Sequence, residues 1–533
     1  MPSEPSSSSS LSVSRRSLLR AGALLVPAVG ALAACGSPTT GPTSTGLRRA
    51  RPTLTHGVAS GEVTSTSALV WARSDTPATM IVETSATENF ARAKTVRGPR
   101  LTPQTDGTGR LRVAGLEPGQ TVHYRVTLEG EDGAAGEPVS GVFTTAPTSA
   151  KDIRFLWSGD VVGQGWGINP DMGGLTIFGA MADRDPDFFI HSGDAIYADN
   201  PVEATQEQND GTVYRSAVSP AKSHVAQTLD DFRGNYAYNL TDQHYRRFSS
   251  SVAQYVQWDD HEVVNNWFPG ESLAGQKRKG YTEMDVDTLA AHGKQAWREW
   301  QPVESGSSSR VYRQVRQGPQ LDVFLLDMRT YKDPNPAAWG TDNVDGILGA
   351  EQTQWLIDSL KRSTATWKVV ANDLPLSIVV PDKNSTPAGG RTAMEAVAQG
   401  DGGAPLGREI AFARVLSAIK DVPNVVFLTA DVHYTAAISY QPDRAAHQDF
   451  APFWEFVSGP LHAGAFPESP VDGTFGAKYE FVHAPTEENT SPAEGFQHFG
   501  EVTIAKDTGV LTVNLCDQTG RVLYRRELEP TRR

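Results

Sequence analysis

The chain has 533 residues, a net charge of −14 and two cysteines, Cys35 and Cys516. The length suggests two domains rather than one. The acidic balance argues against a basic surface for nucleic acid, and two cysteines build no disulfide framework.

In chain order, residues 1–35 read as an export signal. Ser14-Arg15-Arg16-Ser17-Leu18-Leu19 resembles a twin-arginine signal, the bacterial route for proteins exported already folded. The apolar stretch 21–34 is too short to span a membrane as a mature helix. It ends Leu32-Ala33-Ala34-Cys35, which resembles a lipobox and predicts a lipid anchor at Cys35. The alternative for Cys35 is an ordinary cysteine beside a signal-peptide cut. Residues 36–52, rich in Ser, Thr, Pro and Gly, read as a flexible linker. The expected partner of this segment is the twin-arginine machinery, and the expected destination is the cell envelope or the medium.

From 53 to 147 the pattern is short alternating strands such as SALVWAR, TMIVETS and TVHYRVTLEG, with turn punctuation between them. The segment 116–126, LEPG followed by VHYRV, resembles the tyrosine-corner region of fibronectin type III domains, so a small N-terminal β-sandwich is expected. From 151 to 533 apolar strands alternate with amphipathic helices. Strands are predicted at 153–159, 187–193, 252–258, 321–327, 367–371 and 424–430, and helices near 173–184, 286–301, 349–362 and 407–420. That alternation predicts an α/β core. EVTIA, LTVNLCD and VLYRREL read as a closing antiparallel meander, with Cys516 an inert core residue. The stretches 198–235 and 381–405 read as long loops that shape a substrate site.

Four apolar runs in this core stop at an aspartate: FLWSGD at Asp160, FFIHSGD at Asp194, YVQWDDHE at Asp259 and Asp260, and VVFLTADVH at Asp431 and His433. Ligands of open α/β sheets bind beyond the carboxyl ends of the strands. Carboxylates and histidines gathered there from separate strands suit a polynuclear metal site. Tyr197, three residues past Asp194, can reach the same ion if the loop curls, and a tyrosinate favours a hard ion such as Fe3+. Asn265 or Asn266 can offer a neutral amide oxygen. Dense clustering in WDDHEVVNNW means that some members orient ligands rather than bind metal. Asp260, His261 and Arg329 are the candidate catalytic groups. His261 can protonate a leaving group or hold phosphate. Arg329 either clamps a phosphate oxygen or forms a salt bridge to Asp327 or a site carboxylate. No G-x-S-x-G elbow occurs in the α/β core, so no serine nucleophile is expected.

With these residues in hand, the chain resembles the PhoD-like alkaline phosphatase and phosphodiesterase family, which has a calcineurin-like metallophosphoesterase core. The resemblance runs from THGVASG through HSGDAIYAD, WDDHEVVNN, LDMRTY and TADVH to FVSGPLHAG. It implies a fibronectin III-like sandwich followed by a four-layer α/β/β/α catalytic domain, a cluster of Fe3+ and Ca2+, and hydrolysis of phosphate esters. Carried over by position, it implies metal ligands Asp194, Tyr197, Asn265, Asp431 and His433. Asp160 is a departure: some members place a cysteine near this strand end, and aspartate is the harder ligand. SGDVVGQGWGIN resembles the branch of secreted, calcium-dependent, phospholipase D-like phosphodiesterases. The expected reaction is therefore attack of metal-activated water on a phosphodiester, whether of a phospholipid, a nucleotide or another alcohol. Phosphomonoester hydrolysis is the runner-up. A non-catalytic surface lipoprotein is the rival from another class, and it predicts lost ligands, whereas every strand end here is filled.

Overall fold

The computed structural model describes residues 51–531, apart from 305–309, 338, 341–344 and 386–389. The signal, the lipobox cysteine Cys35 and most of the linker lie outside the described residues. Among the described residues, no helix is long and apolar enough to cross a membrane.

Strand Ile153–Ser158 shows how the sequence builds the layers. Its residues are buried on both sides: Phe155 and Trp157 face one apolar cluster, and Leu156 faces another. A strand covered on both faces belongs inside an α/β sandwich. Phe188–His191 and Ala253–Val256 pair with it in turn, all parallel, within a nine-stranded sheet. A seven-stranded sheet is centred on Leu321–Leu325, Trp367–Ala371, Val425–Thr429 and Phe453–Val457, again parallel. Phe155, Trp157 and Ile190 of the first sheet share a core with Val323, Val369 and Leu428 of the second. Helices Gly349–Arg362 and Arg408–Ala418 cover the outer face of the seven-stranded sheet through Leu356, Leu360, Phe412 and Leu416. Helices Ile177–Ala182, Gln243–Ser251 and Val286–Trp300 cover the other through Phe178, Phe248 and Trp297. The architecture is the four-layer α/β/β/α core with a strand-rich N-terminal segment.

In that N-terminal segment, four strands, Lys94–Leu101, Ala78–Ser85, Thr121–Gly130 and Val139–Thr144, form one sheet. Leu54–Gly61, Ser67–Ser74 and Thr108–Ala114 pair with one another, but they also continue the nine-stranded sheet, with Gly61 opposite Gln254. The tyrosine expected at a corner also looks outward. Tyr124 donates its hydroxyl to the Ser250 carbonyl (3.3 Å), in the helix of the following region, instead of to nearby upstream backbone.

The predicted strands and helices of the core are present, with shorter strands: 188–191 for 187–193, 253–256 for 252–258 and 321–325 for 321–327. Just beyond several strand ends the chain turns left-handed at the site. Asp160 (φ 67°), Asp194 (φ 51°), Asn266 (φ 61°), Asp431 (φ 69°) and His433 (φ 60°) all take this conformation, which costs L-residues energy and collects at functional sites. The stretch 198–235, expected as loop, contains the start of helix Leu229–Asn239. Its apolar periodicity is weak. The Thr228 and Asp231 capping box, visible in the sequence, was the available signal.

Candidate metal centre

Six parallel strand ends from the two sheets open onto one basin. The nine-stranded sheet delivers Asp160, Asp194 and the pair Asp259 and Asp260 from three adjacent strands. The seven-stranded sheet delivers Arg329, Asn372 with Asp373, and Asp431 with His433. Just past the strand ends, two glycines allow the loops to approach closely. A Cβ on Gly193 (φ 96°) would lie 2.4 Å from the Asp259 Cβ, and one on Gly459 would lie 2.2 Å from Asp160 Oδ2.

Three triads of donor atoms result, each with its atoms within 4.8 Å of one another: Asp160, Asp194 and His433; Asp194, Asp260 and His261; Asp259, Asp260 and Asp431. Asp194 belongs to the first two and Asp260 to the last two, so the triads form a chain with shared carboxylates. All are buried except Asp431, which is half-buried.

The surrounding residues hold these groups in place. Glu262, fully buried, accepts hydrogen bonds from the backbone N–H of Asp194 (3.0 Å), Ala195 (2.6 Å) and Asp259 (2.7 Å), so one carboxylate ties two ligand loops together. The Gly464 carbonyl lies at His433 Nδ1 and can only accept, so Nδ1 carries the proton and Nε2 keeps its lone pair. Tyr197 Oη donates to that Nε2 (2.7 Å), and the Tyr197 ring stacks on His261 at 4.1 Å between centroids. His261 Nδ1 meets Asp199 Oδ1 at 2.6 Å, and the other Asp199 oxygen accepts from Asn265 N (2.9 Å). Half-buried Asn265 reaches this cluster through its backbone in the described hydrogen bonds.

Arg329 is held among carboxylates. It is fully buried: Nε donates to Asp259 and Nη1 to Glu395, while Nη2 stands 3.6 Å from Asp431 and 3.9 Å from Asp260. The salt bridge to site carboxylates is therefore the alternative realised. The guanidinium lies beneath the acidic floor, where four carboxylates compete for it, and not at an open face where phosphate would meet it.

Electrostatics single out the same basin. Burial first, and neighbouring carboxylates second, push Asp160, Asp194 and Asp431 well above the usual carboxylate range. Burial, then Asp194 and Asp160, push the Tyr197 phenol well up. Burial pushes His433 down to about 4. Burial also opposes charge on His261, but Asp199 and Asp260 outweigh it and lift the imidazole to about 9. Asp160 Oδ2 and Asp259 Oδ2 are buried with no hydrogen-bond partner. Buried carboxylate oxygens without donors are costly unless a cation meets them. The donor set is oxygen and imidazole nitrogen with no thiolate, and it fits hard cations.

Residues 155–515 match the model of the PhoD-like phosphatase family, and residues 40–147 match that of the PhoD-like phosphatase N-terminal domain. The chain belongs to the PhoD-like phosphatase family. It is 26% identical over 416 residues to alkaline phosphatase D of Bacillus subtilis (strain 168), an alignment covering 73% of this chain and 66% of that protein. The chain thus spans just under two thirds of that relative's length. Among solved structures, PhoD superposes with a TM-score of 0.63 at 21% identity, over 90% of this chain and 92% of that one. Purple acid phosphatase PPD1 from yellow lupin (Lupinus luteus) gives 0.58 at 14% identity, over 90% and 74%. These two show a common fold.

Of the residues singled out from the PhoD-like motifs, Asp160, Asp194, Tyr197, Asp260, His261, Asp431 and His433 converge. Three participants went unassigned: Asp199, Glu262 and Glu395. Asp199 closes the motif HSGDAIYAD and Glu262 sits inside WDDHE, so motif membership was a signal for both. Glu395 lies in a Gly- and Pro-rich stretch with no pattern around it.

Proposed function

We propose that the chain is an exported, metal-dependent phosphoric ester hydrolase that prefers phosphodiesters, with phosphomonoesters as the second substrate class. The observation that carries the reading is the chain of three donor triads linked by Asp194 and Asp260, in a member of a phosphatase family. Asp160, Asp194, Tyr197, Asp431 and His433 would hold the cations, with Asn265 a further oxygen donor; Ca2+ and Fe3+ suit the hard donor set. When bound, such cations activate water and neutralise charge on the ester.

The chain's own residues do the rest. Asp199 fixes the His261 ring through Nδ1, and in the metal-free chain Asp199 and Asp260 outweigh burial and lift the imidazole to about 9. Where no cation takes its Nε2, His261 carries a proton there that it can pass to the departing alcohol oxygen. Gly464 keeps His433 in the tautomer whose Nε2 lone pair would be available to a cation. Glu262 keeps the Asp194 and Asp259 loops in register, which limits motion in the site. The diester preference rests on the likeness of SGDVVGQGWGIN to phospholipase D-like members. Hydrolysis of an aryl phosphodiester beside the matching monoester, after chelation and refilling with calcium, tests it. Faster turnover of the diester is expected. Faster turnover of the monoester would make the chain an alkaline phosphomonoesterase, and silence on both, with iron also supplied, would sink the enzyme reading.

Export rests on Arg15-Arg16 and Cys35. Replacing both arginines by lysine should leave the protein in the cytoplasm, and wild-type protein should take up a labelled fatty acid that Cys35→Ala does not. Export unaffected by the arginines, or label on Cys35→Ala, would refute the corresponding half.

A further inference from the structure

Glu395 is far in sequence from every strand end, in the stretch 381–405, yet it is fully buried and makes three polar contacts. One carboxylate oxygen accepts from Arg329 Nη1. The other accepts from Asn335 Nδ2 (2.9 Å) and pairs with buried Lys332 (2.5 Å). Asn335 also donates to Asp382 (2.9 Å) and to the Asn266 carbonyl (2.8 Å), and Asn266 N in turn donates to Asp260 Oδ2 (2.5 Å). Arg408, fully buried, donates to the Glu395 carbonyl (2.7 Å) and to Asn335 Oδ1 (2.8 Å), so the backbone beneath Glu395 is clamped as well. A charged side chain held this completely is placed, and its placement decides where Arg329 goes.

Arg329 is the cation nearest the third triad. Its Nε is committed to Asp259, its Nη1 to Glu395, and its Nη2 has no hydrogen-bond partner while standing 3.6 Å from Asp431 and 3.9 Å from Asp260. A guanidinium freed from Glu395 would close further on the carboxylates that its Nη2 already approaches. Here those are Asp260 and Asp431, two of the three donors of that triad. The geometry points to Glu395 as a positioning residue of the metal centre: it parks Arg329 against Asp259 and keeps Asp260 and Asp431 open for a cation. This inference rests on the metallophosphatase reading above.

The test is calcium binding by titration calorimetry on the chelated full chain, wild type against Glu395→Gln, with kcat and KM measured in parallel. Outer partners of metal ligands typically contribute about 10–100-fold in affinity. Glu395→Gln should lose one calcium site or bind there about 10-fold or more weakly, with kcat falling and KM moving less. Because the change strands Lys332 and Arg329 as buried charges, Glu395→Asp is made as well. It keeps the charge, withdraws the carboxylate from Arg329 and should show the same weakening in a chain that melts near wild type. A folded variant that binds calcium with wild-type affinity and stoichiometry would overturn the inference. A merely structural role would lower the melting temperature and leave those two numbers alone. Wild-type protein that binds no calcium or other metal would instead overturn the metallophosphatase reading itself.

Discussion

Asp194→Asn should lower kcat/KM by about 1,000-fold or more while leaving the fold intact. Asp194 is common to two donor triads, and a neutral amide cannot bridge two cations as a carboxylate does. Charge stabilisation by such ions amounts to several kcal/mol, and each 1.36 kcal/mol is about tenfold in rate. The fold should survive for two reasons. Asparagine has nearly the same volume, and its carbonyl oxygen can still accept from His261 N, as Asp194 Oδ1 does at 3.0 Å. It also removes one buried negative charge from a site where burial and Asp260 already push Asp194 toward the protonated form. The chelated variant should therefore melt no lower than chelated wild type near neutral pH. Full activity in Asp194→Asn would show that Asp194 does not link the metal positions.

The second large effect is that of metal removal, which should abolish turnover and make stability depend on pH with a definite sign. In the metal-free chain, burial raises Asp259 to about 7 despite Arg329, and burial raises Glu262 to about 7 despite its backbone hydrogen bonds. Both are raised above their unfolded values, near 4, so between pH 4 and pH 7 the folded chain holds protons that the unfolded chain has released. The metal-free protein should then lose stability as pH rises through this window and stay at the lower level above it. Cation binding runs the other way, since it needs ionised carboxylates and adds about 4 kcal/mol at a ligand concentration 1,000 times Kd. The gap in melting temperature between refilled and chelated protein should widen from pH 5 to pH 8, read by calorimetry. A chelated protein that keeps full activity, with no gap at any pH, would remove the case for a metal centre.

What the sequence determined by itself is the part written locally. Apolar runs covered on both faces predicted the strands of the core, and their abrupt ends at Asp160, Asp194, Asp260 and Asp431 marked the site before any contact was known. A strand end is legible because the change from apolar to polar occurs within two or three residues. The ordered motifs identified the family, which residues 155–515 then matched. The tertiary structure decided the rest. It carried three N-terminal strands into the core sheet, placed Arg329 under the acidic floor, and made Asp199, Glu262 and Glu395 the groups that hold His261, the ligand loops and Arg329. The reason is physical: whether a charged residue is solvated or buried depends on partners 60 or more positions away. Glu395 and Arg329 are 66 residues apart, and Asp199 and His261 are 62. No periodicity or propensity near a residue encodes the partner that long-range packing brings to it.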